Sequence, residues 1–518
     1  MENSNYWALP LIIFLVYCVY DGWMARKSIR KNPDIPFIGS PFTVIPRFLL
    51  NLLFAAKAAD IVEWGYQKFK GQPFQLVRND GQVLLLPLSV LEELSNLPAS
   101  VASPNTALEH DLLGHYTGLS LILESRAHHS IVQRRVTPRL GLMTPRLEVE
   151  IHSACHESLT ESHEWVEFQP YKALSKVSAR IAAQAIVTPE FAHDPKWLEI
   201  SVEYTENLFR TIVITRLFPS WMQSFVCRHL PSFWAGQRYM KEAKKLLGPR
   251  INELLHMSDE GTWEPQPNES DSNVLNWLVD TVKGADRDAD TIAHVEVLLA
   301  LAAVHTTLLR MVNVLYDITA SGLAVELRSE IEEVTSRSGT WDKSSYDSLY
   351  KLDSVLSESQ RMSPPTTLGM KRIFQEDYTF KNGLHIPKGM YTAMPIYAIE
   401  NDPAHTSNPE TFDGLRSYRL MLEHNISDGS DGDEGRKFRF STPRPNVLNF
   451  GYGRHACPGR YFASLVLKIL FTKLLTEYEF EFLPGAGRPK NLLAHEFLFT
   501  APWQRMLIRK KEKGNCPF

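Results

Sequence analysis

Cysteine, net charge and long apolar runs are all scarce in this chain. Its 518 residues include five cysteines, Cys18, Cys155, Cys227, Cys457 and Cys516, scattered, odd in number and never in a CxxC pair. That disfavours a disulfide scaffold or a zinc site and suits a reducing compartment. Cys516 stands third from the end, whereas a prenylation signal needs its cysteine fourth. The formal net charge is only −4, so nothing argues for nucleic acid as a partner. No internal repeat is visible and no long linker divides the body. Length alone would allow several domains, but the pattern reads as one large one. The composition, 44% apolar and 22% charged, is that of an ordinary folded protein.

The one long apolar run is N-terminal. Trp7–Tyr20 is almost unbroken, extends through Trp23 and Met24, and is followed by Arg26, Lys27, Arg30 and Lys31, with Glu2 the only charge before it. No small-residue cleavage site follows, and the basic residues lie on the wrong flank for a signal peptide. Residues 1–25 therefore read as an uncleaved single-span membrane anchor, with Trp7 and Trp23 at the interfaces and the body on the cytosolic side. Pro33, Pro36, Pro41 and Pro46 make residues 26–47 a stiff hinge. Residues 48–518 form the remaining body. Phe74–Pro87 predicts a strand pair around Asn79-Asp80-Gly81. Helical patterns then dominate: Leu88–Asn96, Glu124–Val136, Trp165–Val187, Trp197–Arg216, Tyr239–Met257, Asn273–Val282 and Thr291–Leu323. Phe374–Met394 returns to strand and turn, and His424–Arg436 is a polar surface loop. The fold class is mainly α with a minor β region.

Five segments carry chemistry. Phe450–Arg460 sets Cys457 in a loop punctuated by Gly451, Gly453 and Gly459, just before an apolar helical run. A thiol at a helix start is expected to favour the thiolate, which makes a ligand for a soft metal centre; the bland alternative is an inert buried cysteine. A phosphate loop is excluded because no Lys-Ser/Thr follows. Thr291–Leu323 is apolar all round at Val297–Val304, so it is a buried core helix. His305-Thr306-Thr307 interrupts it, and a Thr bonding back to its i−4 carbonyl is the alternative to a functional hydroxyl. Glu358 and Arg361, at i and i+3, share a helix face, as a solvated surface pair would also do. Asn408–Arg416 is an ordered, turn-rich loop. His128-His129 with Arg134-Arg135, and Lys371-Arg372, are basic clusters that face an anion or plain solvent.

Taken together and in this order, these segments resemble a cytochrome P450. The family's cysteine-loop pattern, Phe-x-x-Gly-x-Arg-x-Cys-x-Gly, is matched by Phe450, Gly453, Cys457 and Gly459, with His455 in the Arg position. Glu-x-x-Arg is matched by Glu358 and Arg361, and the third member of that family's buried network falls on Arg416. The oxygen-handling helix reads Ala302-Ala303-Val304-His305-Thr306, with His where the family has an acid. His305-Thr306-Thr307, His455–Arg460, Phe412-Asp413-Gly414 and Leu108–Gly114 are similar to filamentous-fungal enzymes of secondary metabolism related to ent-kaurene oxidase.

The resemblance implies a cytochrome P450 fold and a haem-thiolate monooxygenase acting on a bulky, lipophilic terpenoid or indole-terpenoid. Cys457 becomes the axial ligand of haem b, with Phe450 packed beside it. His455, Arg372 and the Arg134/His129 cluster become the propionate partners. Glu358, Arg361 and Arg416 become a structural network. Thr306 becomes the hydroxyl that holds dioxygen and passes protons, with His305 and Thr307 beside it. The substrate chamber is expected at Leu298, Leu301, Ala302, the Pro365-Thr366-Thr367-Leu368 turn, Leu108–His115 and Phe497–Thr500. No flavin or nicotinamide domain is present, so electrons from NADPH are expected through the membrane-bound NADPH–cytochrome P450 reductase, docking at Arg454, Arg460 and Lys468, with cytochrome b5 as a further partner. The location implied is the endoplasmic reticulum membrane. Because the acid is replaced by His305, a haem-thiolate isomerase or dehydratase is the main rival. A non-catalytic haem-binding protein is the rival from another class.

Overall fold

The computed structural model describes residues 35–38, 47–78, 81–266, 272–424 and 436–518, with Ile12, Val16, Tyr17, Val19, Tyr20 and Trp23 as isolated positions before them. Most of the expected anchor and hinge, the Asn79-Asp80 turn and the 425–435 part of the acidic loop lie outside the described residues.

A long helix, Ala289–Ser321, runs through the centre of a large helical core. Its ends follow from local chemistry. Asp288 caps the first turn by accepting from the Thr291 amide at 3.0 Å, and Gly322 closes the last turn at φ 70°. Among the described residues this helix alone is long and apolar enough to cross a membrane, but most of it is buried against other helices. The helix Pro170–Ile186 packs along it, and Ser178 donates to the Val304 carbonyl at 2.7 Å. Pro195–Thr215 and Pro231–Asp259 pack on its other flanks. Burying so many leucines, isoleucines and valines on one axis makes this helix the rigid reference for the site.

The second apolar cluster covers a five-stranded sheet. Phe74–Arg78 pairs with Gly81–Leu85 as a hairpin, and Gly81–Leu85 pairs in parallel with Tyr391–Met394. Gly369–Phe374 and Ala102–Ser103 continue the sheet antiparallel. Gly369–Phe374 alternates half-buried and buried positions, the period of a strand with one covered face.

Two expected helices differ at their starts. Val166–Phe168 is a strand paired with Met506–Lys510, and the helix begins only at Pro170. Proline at the first helical position fixes φ and gives up no needed N–H, so it sets that boundary. In the Glu124–Val136 stretch, Ala127–Ile131 is helical and Val132–Val136 is a π turn. A π turn carries an extra residue and shifts the phase of the side chains beyond it.

Candidate functional site

The cysteine loop is built by its backbone. Gly451 sits at φ 72°, and a Cβ there would lie 3.2 Å from the His455 carbonyl oxygen. Only glycine meets both demands. The Cys457 amide donates to the Phe450 carbonyl at 2.7 Å, which pins the cysteine at the mouth of the helix Arg460–Glu477. Phe450 packs edge-on against Phe440, with ring centroids 5.1 Å apart. The Cys457 side chain is reachable by water, yet protein crowds it closely, so it lies on the wall of a cleft. Burial raises its thiol pKa, and the Gly459 and Arg460 amides and the Arg460 charge only partly offset that. In the protein alone, burial thus opposes the thiolate that a helix start favours. A bound metal cation deprotonates such a thiol outright. Cys155, buried in the helical core and pushed up to about 12 by desolvation, shows the inert case.

The opposite wall is the long helix. Leu301, Val304 and Leu308 are buried, whereas Ala302 and Thr306, four residues apart on one face, are exposed. They mark an open notch in an otherwise enclosed helix. Thr306 Oγ1 donates to the Ala302 carbonyl at 2.6 Å, the back-bonded rotamer. Thr306, Thr307, Pro365, Leu498 and Phe450 line one small cavity, so the helix notch and the cysteine loop face a common interior. His305 points elsewhere. Its Nε2–H donates to the Val202 carbonyl at 3.1 Å, in the helix Pro195–Thr215, and burial lowers its pKa, which leaves it neutral.

A cationic group borders the same loop. Arg372 is 3% exposed. Its Nη1 donates to the Lys371 carbonyl at 2.7 Å, while Nε and Nη2 are buried with no partner among the described residues. Desolvation pulls its guanidinium down to about 10. The His455 pKa is lowered by burial and further by the charges of Arg372, His129 and Arg126. Arg134 is exposed on the π turn, and Arg126 is exposed as well. A buried guanidinium with two unbonded N–H groups, in a neighbourhood of one sign, lacks an anion. Together with a cleft cysteine between two walls, this donor set fits a haem: Cys457 for the iron, and Arg372, His455 and His129 for the propionates.

Glu358, Arg361 and Arg416 do meet; Glu358 and Arg361 are buried and Arg416 is half-buried. Arg361 donates to both oxygens of Glu358 at 2.9 and 2.6 Å, and Arg416 at 3.1 and 3.2 Å. The Asp413 amide adds a contact at 3.0 Å. Burial raises the Glu358 pKa, but Arg361 and Arg416 outweigh it and hold the carboxyl below its ordinary range. Arg361 also donates to the Pro409 carbonyl at 2.6 Å, which ties the Asn408–Arg416 loop to the helix. The surface-pair alternative is overturned.

Leu298 and Leu301 are covered at 6% and 8% exposure, beside the Ala302 notch. Pro365, Thr366 and Phe497 are half-buried, and Thr366 bridges to Phe497. Leu368 is wholly buried in the sheet cluster, so it backs the turn instead of lining a chamber. Lys468 is also not a docking residue: it is 2% exposed and pairs with Asp353 at 2.6 Å, whereas Arg454 is exposed. An apolar helix flank such as Leu467–Leu470 carries its lysine inward. Leu108–Asp111 lies in a helix, Pro104–Asp111, whose last residue enters a buried ion cluster that sequence reading missed. Its members are far apart in the chain, and only the Lys371-Arg372 pair gave any signal.

A family model described as Cytochrome P450 matches residues 48–507. The chain is similar to a cytochrome P450 monooxygenase of Emericella nidulans, 35% identical over 489 residues, covering 93% of this chain and 89% of the relative. It is similar to an ent-kaurene oxidase of Fusarium fujikuroi, 30% identical over 516 residues, covering 97% and 94%. It is also similar to the cytochrome P450 monooxygenase AtmP of Aspergillus flavus, 32% identical over 523 residues, covering 99% and 96%.

Proposed function

The chain belongs to the cytochrome P450 family and is an oxidoreductase of the monooxygenase type, and from that premise we propose that it oxidises a bulky, lipophilic secondary metabolite of terpenoid or indole-terpenoid kind. The observation that carries the reading is the cavity shared by Phe450 of the cysteine loop and Thr306 of the long helix. A haem with a thiolate ligand, when bound there, supplies dioxygen activation, since thiolate donation favours O–O cleavage. The chain's own residues do the rest. Cys457 offers the ligand, Arg372 with His455 and His129 answers the two propionates, and the Glu358 network braces the loop before it. Leu298, Leu301 and Phe497 offer apolar surface that excludes water and suits a hydrocarbon skeleton. Thr306 holds its proton on Oγ1 at the notch, and release from the Ala302 carbonyl makes that proton available to the interior. With His305 bound to Val202, proton delivery falls to Thr306, Thr307 and solvent.

Electrons come from NADPH through a separate reductase, received at exposed Arg454 and at Arg460, and cytochrome b5 is a further donor in this reading. The protein sits on the endoplasmic reticulum membrane through residues 1–25. Exposed Ile12, Val16, Val19 and Trp23 support this, as does the apolar surface of Trp221, Phe225, Leu52 and Leu53. Tyr17 packs on Trp221 at 5.5 Å, and Asn51 donates to the Arg216 carbonyl, which brings these segments together.

The test is turnover with reductase, NADPH and labelled dioxygen on ent-kaurene and on indole-diterpene hydrocarbons. Label in the product supports the reading. Turnover that needs neither NADPH nor oxygen would instead establish the isomerase or dehydratase alternative.

A further inference from the structure

The strands Leu492–Ala494 and Phe497–Phe499 form a hairpin whose two-residue tip is His495-Glu496. Hairpin tips are normally exposed and polar. This one is buried: Glu496 is 0% exposed. Arg216, at the end of the helix Pro195–Thr215, donates to both Glu496 oxygens at 3.2 Å. Arg78, from the first strand of the sheet, and Lys371, from the strand Gly369–Phe374, each reach Oε1 at 3.2 Å. Lys371 also reaches Asp111 at 2.5 Å, and Tyr391 donates to Asp111 at 2.9 Å. Six side chains from six separate segments thus close one knot. Burial raises the Glu496 pKa, but Arg216, Lys371 and Arg78 together hold its carboxyl far below the usual range.

The tip is fixed in its backbone as well. His495 takes φ 54°, a left-handed value uncommon for a non-glycine residue. Its amide donates to the Ala55 carbonyl at 2.9 Å, and its Nε2 meets the Val213 carbonyl at 3.1 Å. The Glu496 carbonyl accepts from the Thr367 amide at 2.8 Å, in the turn that follows the Glu358 helix.

Of the two residues just after the tip, Leu498 faces the interior and Phe497 packs beneath the knot. Phe497 lies under Lys371 and Arg216, with their charges 5.3 and 5.8 Å from its ring centroid, and stacks edge-on with Phe209 at 5.9 Å. Leu498 lines the cavity shared with Thr306 and Phe450, and its amide donates to the Pro365 carbonyl at 3.2 Å. We infer that Glu496 is a positioning residue for substrate: by drawing Arg216, Arg78 and Lys371 onto the hairpin tip, it sets where Phe497 and Leu498 stand over the chamber, and so which bulky ligands fit. The inference rests on the proposed chamber. It adds that the chamber's shape is held by a charged knot to which no ligand need bind.

A positioning role and a merely structural one differ in what they move. Haem-loaded wild type and Glu496→Gln are titrated with two haem-ligating azoles: imidazole, too small to touch the walls, and clotrimazole, whose three aryl rings press on them. The expected result is unchanged imidazole binding and an intact thiolate-type carbon monoxide spectrum. Clotrimazole binding should weaken by at least about tenfold, since displacements near 1 Å in a packed site have effects of that order or larger. Lys371→Met keeps an arginine against Glu496 and, should Glu496→Gln fail to load haem, gives the same selective loss in smaller measure. Equal clotrimazole affinity in the variants, or equal weakening of both azoles, overturns the inference. So does wild type that binds imidazole but not clotrimazole. If wild type shows no thiolate-type spectrum at all, it is the haem reading that fails.

Discussion

Replacing Glu358 by alanine removes the carboxylate shared by the guanidinium groups of buried Arg361 and half-buried Arg416. Four charge-assisted hydrogen bonds are lost, at 2.6 to 3.2 Å, together with the contact from the Asp413 amide. Arg361 keeps the Asn401 side chain and the carbonyls of Pro409 and Thr411, so it stays in place as a cation without its counter-charge. Breaking a buried charged cluster by removing one member costs ~3–5 kcal/mol. Glu358→Gln keeps an acceptor oxygen and loses the charge, which sets its cost nearer ~1.5–3 kcal/mol. The damage is directed towards the cysteine loop. Arg361 holds Asn401; next to it, Glu400 accepts from Asn449, the residue before Phe450. The assay is haem per polypeptide in purified protein, read as the pyridine haemochromogen, alongside the melting temperature. The expected order is wild type, then Glu358→Gln, then Glu358→Ala with essentially no haem. Acid acts in the same direction. The folded carboxyl lies below its ordinary 4.5, so the network's contribution is complete above that pH and drains away as pH falls through the lower folded value. An alanine variant with wild-type haem content and melting temperature would refute the reasoning.

Thr306→Ala removes the proton carried at the notch, and it should raise NADPH consumption per product several-fold; unchanged coupling would remove Thr306 from the chemistry. Arg372→Leu removes a buried cation that has no anionic partner among the described residues, so apoprotein should fold and melt no lower than wild type while haem dissociates faster; equal haem retention would contradict its assignment to a propionate. Glu400 is pushed up by burial to about 8, against the charges of Arg361 and Arg444. Its folded form keeps a proton that the unfolded chain releases above 4.5, so stability falls as pH rises from there to about 8 and then levels. Glu400→Gln should flatten that slope and melt higher than wild type at pH 8, and an unchanged slope would show that the carboxyl ionises freely.

Much of the site is local in the chain and can be read there. Gly451, Gly453 and Gly459 around Cys457 announce a backbone with special turns, and a φ of 72° at Gly451 is the physical reason. Asp288 and Gly322 bracket the long helix, and its apolar centre marks it as core. Glu358 and Arg361 share a face by spacing alone. What escapes is whatever depends on tertiary contact. Whether that pair is buried is decided by Arg416 and the Pro409 carbonyl, from a loop some fifty residues on. Arg126, Arg134 and Arg372 look equivalent in sequence, yet the first two are exposed and Arg372 is buried. Lys468 looks like any surface lysine until Asp353 is found beside it. The Glu496 knot joins residues up to 418 positions apart, and no local pattern encodes it. Three-residue strands such as Val166–Phe168 are invisible for the same reason, since their pairing partner, Met506–Lys510, lies at the other end of the chain.

The central claim is that Cys457 is the thiolate ligand of a haem held between the cysteine loop and the Ala302/Thr306 notch. The direct measurement is the reduced, carbon monoxide difference spectrum of the full-length protein beside that of Cys457→Ser. The account predicts a thiolate-type Soret band in the wild type and its complete loss in the serine variant. A thiolate-type band that survives in Cys457→Ser would contradict it.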